Sequence, residues 1–444
     1  MTVATPASTR PCKPASPRTG DFCAIDFGTS NSAVALPDSQ GVCLVELEAG
    51  QVTMPTAVFY GVEGLAPHEE PQRRFGRAAV AAYVEGIEGR LRRSMKSILG
   101  STLADQATDV GAGRSVRYLD VVAGYLRHLK VMAEAQAARP LSRAVLGRPV
   151  FFVDGDPERD AAAQAALQRA AHAVGFSEVH FQYEPIAAAL DFETTIDREQ
   201  KVLVADIGGG TSDFSLVRVG PKRANRLDRV DDILANHGVH VAGTDFDRHL
   251  ELAAILPICG YKGTGPNGRE VPSKVYFDLA TWHLINTVYV PNRVGELRRM
   301  KSFYADTQQH ARLMTLVDER LGHALIALAE NAKIAVAEGG QTTIDLWQLG
   351  QGLASALDEP QAMAALDADL ARIVQAAADT VHQAGLRLDQ VDALYFTGGS
   401  TGLKPLADRI AAKFPAARAV RGDRFSSVAQ GLGQHARQLF GVPA

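Results

Sequence analysis

An α/β fold built from two similar halves is what this sequence predicts, on three observations. Two stretches nearly repeat: "IDFGTSNS" (Ile25–Ser32) and "ADIGGGTSD" (Ala205–Asp213), each an Asp, an apolar residue, a Gly, then Gly or hydroxyl residues. Strand-like and helix-like segments alternate along most of the 444 residues, which is the pattern of α/β proteins. A third Gly-rich turn, "TGGSTG" (Thr397–Gly402), ends a buried-strand pattern and precedes a helix.

The elements follow in order. Residues 1–20 carry four prolines and no apolar core for a secretory signal, so a disordered tail is expected. "FCAIDF" and "SAVAL" read as two strands joined by a Gly-hydroxyl turn, and "GVCLVEL" and "TAVFY" continue the strand pattern. After a polar stretch from Gly61 to Arg74, an Arg/Ala-rich helical region is expected through Arg139, Arg90–Arg93 included, interrupted around "GSTLADQATDVGAG". "RAVLGRPVFFV" is a buried strand; Asp156 then caps an Ala-rich helix with Pro157 at its first position and Gly175 past its end. "VHFQYEPIAAALDFE" is a strand running into a helix at Glu184–Pro185, since Pro fits a helix's first turn. "KVLVADIGGGTSDFSLVRV" repeats the opening hairpin. "ILANHGVHVAGTDFDRHL" gives a strand, a Gly turn and a helix start. Residues 250–339 are mostly helical apart from "GYKGTGPNGREVPS". "TTIDLWQL" returns to strand, a long helix covers Gln361–His382, and "SSVAQGLGQHARQLF" forms the last helix.

Bulk properties exclude some functions. A formal net charge of −4 argues against a general polyanion binder, so no nucleic-acid partner is expected. No apolar run approaches the roughly 18 residues needed to span a membrane. Cys12, Cys23, Cys43 and Cys259 are spaced as neither a disulfide framework nor a zinc site, which favours a reducing, cytoplasmic setting. The histidines show no HxxxH or HxH metal spacing.

The repeated turn carries the chemistry. A tight Gly/Thr/Ser turn points several backbone N–H groups one way and makes an anion cradle. Asp26 and Asp206 precede their turns at the same offset. A carboxylate beside a phosphate needs a cation between them, and Mg²⁺, which keeps several waters, is the natural one. Two such turns facing each other describe a Mg–nucleotide polyphosphate clamped between two halves. Neither a Walker A loop nor a Rossmann fingerprint is present.

These residues resemble the actin-fold ATPases, and specifically the nucleotide-binding domain of the seventy-kilodalton heat-shock chaperones. "AIDFGTSNSAVAL" and "VLVADIGGGTSDFSLV" resemble that family's two phosphate motifs, and "YFTGGSTGLKPL" its adenosine motif. "YEPIAAAL" resembles its connector, "SMKSILG" its catalytic-Lys segment, and "HVAGTDFD" its second-lobe turn, all in family order from residue 21 to 433. "GRPV" and "VPSKVYFDLATWH" are most like the YegD-like subgroup.

The resemblance implies an actin-like ATPase fold of two duplicated ribonuclease-H-like lobes around a nucleotide cleft. It places lobe I at 21–203, with a subdomain at about 61–142, and lobe II at 204–444, with a subdomain at about 246–339. It implies ATP and ADP as ligands with Mg²⁺ held through water by Asp26 and Asp206. Gly28, Thr29, Ser30 and Asn31 would wrap the phosphates from one lobe, and Gly208, Gly209, Gly210 and Thr211 from the other. Lys96 would contact the γ-phosphate and attacking water, with Glu184 ordering that water and Asp206 and Thr211 completing the catalytic set. Gly243, Glu330, Lys333, Gly398, Gly399 and Ser400 would hold the nucleoside end. Asp213 is either a further partner of the site or a turn residue.

The sequence also departs from the family. Ile334 stands where the chaperones place an Arg that packs on adenine, Ala337 where a Ser bonds the base, and Gly402 where they have a second Arg. Weaker adenine binding or relaxed base choice is expected. The chain is expected to stop after the nucleotide domain, with no peptide-binding domain or lid. The resulting reading is a slow ATP-hydrolysing switch that signals to an unidentified protein partner or client. The alternatives are a sugar-type small-molecule kinase on the same fold, and a nucleotide-binding scaffold without turnover.

Overall fold

A computed structural model describes residues 10–12, 20–39, 41–66, 69–101, 104, 106–153, 155–423 and 426–441. In the first half, β1 (Phe22–Phe27), β2 (Asn31–Asp38), β3 (Gly41–Leu44) and β4 (Thr53–Pro55) form an antiparallel run. A small sheet follows, of β5 (Ala57–Gly61), β6 (Gln72–Phe75) and, after α1 (Gly76–Val84), β7 (Gly89–Arg93). The hairpin β8 (Ala107–Gly111) and β9 (Arg114–Arg117) leads into α2 (Tyr118–Ala137). Then β10 (Arg143–Arg148), α3 (Pro157–Ala173), β11 (Glu178–Tyr183) and α4 (Glu184–Glu193) bring the chain back to the main sheet, ordered β11-β10-β1-β2-β3 with β4 on β2.

The second half repeats the plan with β12 (Gln200–Ile207), β13 (Ser212–Val219) and β14 (Ile233–Val239), then α5 (Gly243–Leu250). A helical block comprises α6 (Lys274–Leu279), α7 (Ile285–Val288), α8 (Pro291–Arg299), α9 (Thr307–Asp318) and α10 (Gly322–Val336). The hairpin β15 (Gln341–Asp345) and β16 (Ala354–Asp358) precedes α11 (Glu359–Gln383), β17 (Ala393–Thr397), α12 (Lys404–Lys413), β18 (Arg418–Arg421) and α13 (Ser427–Leu439). The second sheet runs β14-β13-β12-β17-β18. In both sheets the first strand has an antiparallel neighbour on one side and a parallel one on the other. The near-repeat in sequence is therefore a repeat in topology.

Strand alternation explains the layers. Cys23, Ile25 and Phe27 of β1 face α2 and α3, while Phe22 and Ala24 face α4 and α13. In β12, Leu203, Ala205 and Ile207 face α5 and α11, while Val202 and Val204 turn to the core shared with α4 and α13. Both sheets thus back onto one helix pair. That pair crosses so closely that a Cβ on Gly431 would lie 1.9 Å from the Ala187 carbonyl oxygen.

Local signals act as expected in several places. The Asp156 carboxylate accepts the Arg159 N–H at 3.0 Å at the start of α3. Asp358 and Gln361 form a reciprocal capping box at the start of α11. Three expectations need correction. Residues 89–93 are strand, not helix, because Leu91 pairs with Phe59 in the small sheet, and tertiary pairing overrides local propensity. Cys12 and Cys43 form a disulfide across 31 residues, so the spacing argument for a reducing setting does not stand. Within the stretch read as a disordered tail, Arg10–Cys12 run parallel to the edge of β3. The Cys12 N–H donates to the Leu44 carbonyl at 2.8 Å, the Leu44 N–H donates to Arg10 at 3.0 Å, and Arg10 pairs with Asp38. Among the described residues no helix is long and apolar enough to cross a membrane.

Candidate functional site

The two Gly-hydroxyl turns meet face to face. A Cβ on Gly209 would lie 3.0 Å from the Ser30 hydroxyl of the other turn. Gly28 is required by its own turn, since a Cβ there would sit 2.2 Å from the Asn31 carbonyl. The first turn is pinned by the Thr56 N–H donating to the Ser30 carbonyl at 2.9 Å. In the second, the Gly208 N–H donates to Thr211 at 2.9 Å, and the Thr211 hydroxyl donates to Asp213 at 2.8 Å. Gly210 has open space on its Cβ side.

Residues expected at the nucleoside end gather on the second turn. The Ser400 hydroxyl donates to the Gly208 carbonyl at 2.7 Å. The Gly243 N–H donates to Gly208 at 3.3 Å, and the Thr244 N–H and hydroxyl to Gly209 at 2.7 and 2.8 Å. Gly398, at φ +86°, packs against Asp206, where a Cβ would lie 2.5 Å from the carboxylate. It opens the short turn Gly399–Gly402. Lys333 of α10 pairs with Asp247 of α5 at 2.6 Å and reaches the Gly243 carbonyl at 3.4 Å. Glu330, one turn earlier on α10, is exposed. Ile334, expected at the position of the family's adenine-packing Arg, is 62% exposed and presents its side chain to solvent.

The acidic centre lies between the two sheets. Lys96, 7% exposed, pairs with Glu184 at the start of α4. Glu184, Asp206 and Asp213 line a pocket of about 90 Å³ with Pro149, Pro185, Asn236 and Thr397. Burial, then the Glu184 carboxylate, hold Asp26 well above the ordinary carboxylate range, against the pull of the Lys96 ammonium. Burial, then Asp213 and Glu184, raise Asp206, again opposed by Lys96. Asp213 is raised mainly by burial, with the Thr211 hydroxyl opposing.

Four carboxylates therefore share one ammonium, a deficit that suits an added cation. Among the described residues no group of three or more His, Cys, Asp or Glu is set to ligate a metal directly. The carboxylates suit a hydrated ion, and Mg²⁺ keeps its waters readily. Asp26 and Asp206, at matched positions on the two hairpins, fit that role.

The structure brings together Ser30, Asp206, Thr211, Gly208, Gly209, Gly243, Lys333, Gly398 and Ser400 around the two turns, with the Lys96–Glu184 pair beside Asp206 at the shared pocket. Sequence reasoning missed Asp247 and Thr244, although both sit in the quoted "HVAGTDFD". A carboxylate one helical turn after Gly243 was the available signal.

A family model described as Hsp70 protein matches residues 22–252. The chaperone protein DnaK of Mycoplasmoides gallisepticum is 29% identical over 235 residues, covering 52% of this chain and 35% of that protein. A chaperone protein HscA homolog of Aromatoleum aromaticum is 29% identical over 256 residues, covering 52% of this chain and 38% of its own length. The chain spans little more than a third of the length of these curated relatives.

Proposed function

The chain belongs to the Hsp70 family, and we propose that it is an ATP-binding switch of the actin-like fold that hydrolyses ATP slowly and signals by lobe closure to a protein partner. One observation carries this reading: the matched turns face each other, Ser30 against Gly209, with a single buried lysine among four carboxylates beside them. The lobes would be residues 21–203 and 204–444. Each supplies one turn, so polyphosphate bound to both ties the lobes together.

The chain's own groups have separable tasks. Backbone N–H groups of Gly28–Asn31 and Gly208–Thr211 bind phosphate oxygens. The Glu184 carboxylate accepts a hydrogen bond from the attacking water and orients it, while Lys96 neutralises charge on the γ-phosphoryl group. Mg²⁺, held through water by Asp26 and Asp206, would neutralise phosphate charge when bound. The new bond joins the water oxygen to the γ-phosphorus, the bond to the ADP oxygen breaks, the water's protons remain with the released phosphate or pass to solvent, and the products are ADP and inorganic phosphate. Such catalysis is positioning plus electrostatics. Lys333, fixed by Asp247, and Ser400 border the ribose and base end.

The test is phosphate release from Mg–ATP by the purified chain, beside Lys96→Ala and Asp206→Asn. Slow release that both variants lose is the expected result. Confirmed ATP binding without release from the unmodified chain refutes unaided hydrolysis and raises the kinase and scaffold alternatives.

A further inference from the structure

Away from the phosphate turns, the two halves touch again through an aromatic cluster. Tyr83 at the end of α1 stacks on Trp282 of the helical block, with ring centroids 5.0 Å apart and planes at 28°. The Arg93 guanidinium, at the end of β7, lies 4.4 Å from the centroid of the same indole. His323 of α10 meets both Tyr83 and Trp282 edge-on, at 5.2 and 5.1 Å. The Tyr83 hydroxyl also bonds Asn286. The first half thus holds one indole of the second by a ring and a guanidinium.

The link to the site is short. Arg93 is three residues before Lys96. Between them Ser94 is left-handed at φ +53°, an uncommon state for a residue other than Gly. Met95 is fully buried, so the segment has little slack. Glu330 of α10, assigned above to the nucleoside end, faces Arg93 electrostatically. Arg93 therefore contacts the opposite half while its own strand delivers Lys96.

We propose that Arg93, held on Trp282, is a positioning residue that places Lys96 only when the two halves are closed. The proposal rests on the ATPase reading above. With the clasp made, the strand end is fixed and the lysine meets Glu184. With the clasp open, the Ser94 bend is free to relax and Lys96 leaves the pair. Since misplacing a catalytic group by about 1 Å can reduce rate about a hundredfold, losing the clasp should act on kcat more than on KM.

The sequence has two tryptophans, and Trp347 is 65% exposed on the β15–β16 hairpin. A Trp347→Phe background therefore leaves Trp282 as the sole indole reporter. In that background, Arg93→Ala, Arg93→Lys, Trp282→Phe and Tyr83→Ala are compared in two assays. Acrylamide quenching of Trp282 needs no nucleotide and reads the clasp itself in every variant that retains the indole. Steady-state Mg–ATP hydrolysis reads kcat and KM. The expected result is greater quenching in Arg93→Ala and Tyr83→Ala. Their kcat should fall about tenfold or more with KM within about threefold. Trp282→Phe and Arg93→Lys keep a ring and a cation and should recover most of the rate. A kcat within twofold of the unmodified protein in Arg93→Ala, with quenching increased, overturns the proposal alone. Unchanged quenching in both alanine variants overturns the clasp. No hydrolysis by the unmodified protein overturns the ATPase reading and the positioning role with it, and quenching then shows the cluster as a structural contact only.

Discussion

Replacing Gly431 with alanine drives a methyl carbon into the backbone of the crossing helix. The added Cβ would lie 1.9 Å from the Ala187 carbonyl oxygen, 2.6 Å from its carbon and 3.0 Å from its Cα. Close C···O contacts settle near 3.3 Å, so the helices must part by about 1.4 Å. No side-chain rotation relieves this, because the obstacle is main chain. Overpacking of this kind costs about 1–3 kcal/mol, and Ala recovers up to about 1 kcal/mol over Gly through helix propensity. A main-chain obstacle at 1.9 Å puts the cost at the upper end, so the expected net loss is about 2 kcal/mol, read as a lowered urea midpoint. The same shift moves α4, and Glu184 lies one turn before Ala187, so ATP hydrolysis should fall tenfold or more beyond any loss of folded protein. Gly124→Ala is the control: it lies inside α2, and a Cβ there meets nothing within 4 Å. An unchanged or raised midpoint in Gly431→Ala, with hydrolysis intact, would refute the reasoning that these helices are in backbone contact.

Other outcomes follow from the same structure. Gly210→Ala meets open space and should leave stability within about 0.5 kcal/mol, yet weaken nucleotide binding at the phosphate cradle, as read by calorimetry. Ile334→Arg places a cation at an exposed position expected to border the base and should tighten ADP binding up to about tenfold; unchanged affinity would place the base elsewhere. Burial pushes His323 and His435 down to about 4, below the unfolded value of about 6.5. The unfolded chain then binds more protons between those values. Their contribution is complete above pH 6.5 and is lost as pH falls toward 4, by up to about 3 kcal/mol each. The raised site carboxylates act with the opposite sign, so the check is the difference in urea midpoint between the unmodified protein and His435→Gln at pH 7.5 and 4.5, which should shrink on acidification. Cys12→Ser removes a 31-residue cross-link and should lower stability by about 3.5–4 kcal/mol, an effect that reductant reproduces in the unmodified protein and not in the variant.

What the sequence made legible were features whose cause is local. The Asp–Gly turns, the Asp156 cap with Pro157, and the Glu184–Pro185 junction each carry their physics within a few residues, and each stands where expected. The Lys96–Glu184 pair spans 88 residues and came only from the family likeness, not from spacing. Residues 89–93 misled because four of the five can propagate a helix or stay exposed, and their pairing along Ala57–Gly61 decides for strand. Tyr83, Arg93, Trp282 and His323 gave no signal, since nothing in a one-dimensional pattern brings α1 to the helical block. Cys12 and Cys43 were opaque for the same reason: their proximity depends on the tail lying along β3.

That tail contact has a consequence for anyone shortening the chain. Arg10–Cys12 occupy the outer rim of β3, using hydrogen-bonding groups that would otherwise face water. A chain begun at Gly20 would bare an adhesive border on the first sheet, and bare strand borders recruit strands from neighbouring molecules. Arg10–Cys12, through their two hydrogen bonds to Leu44, therefore cover part of that border.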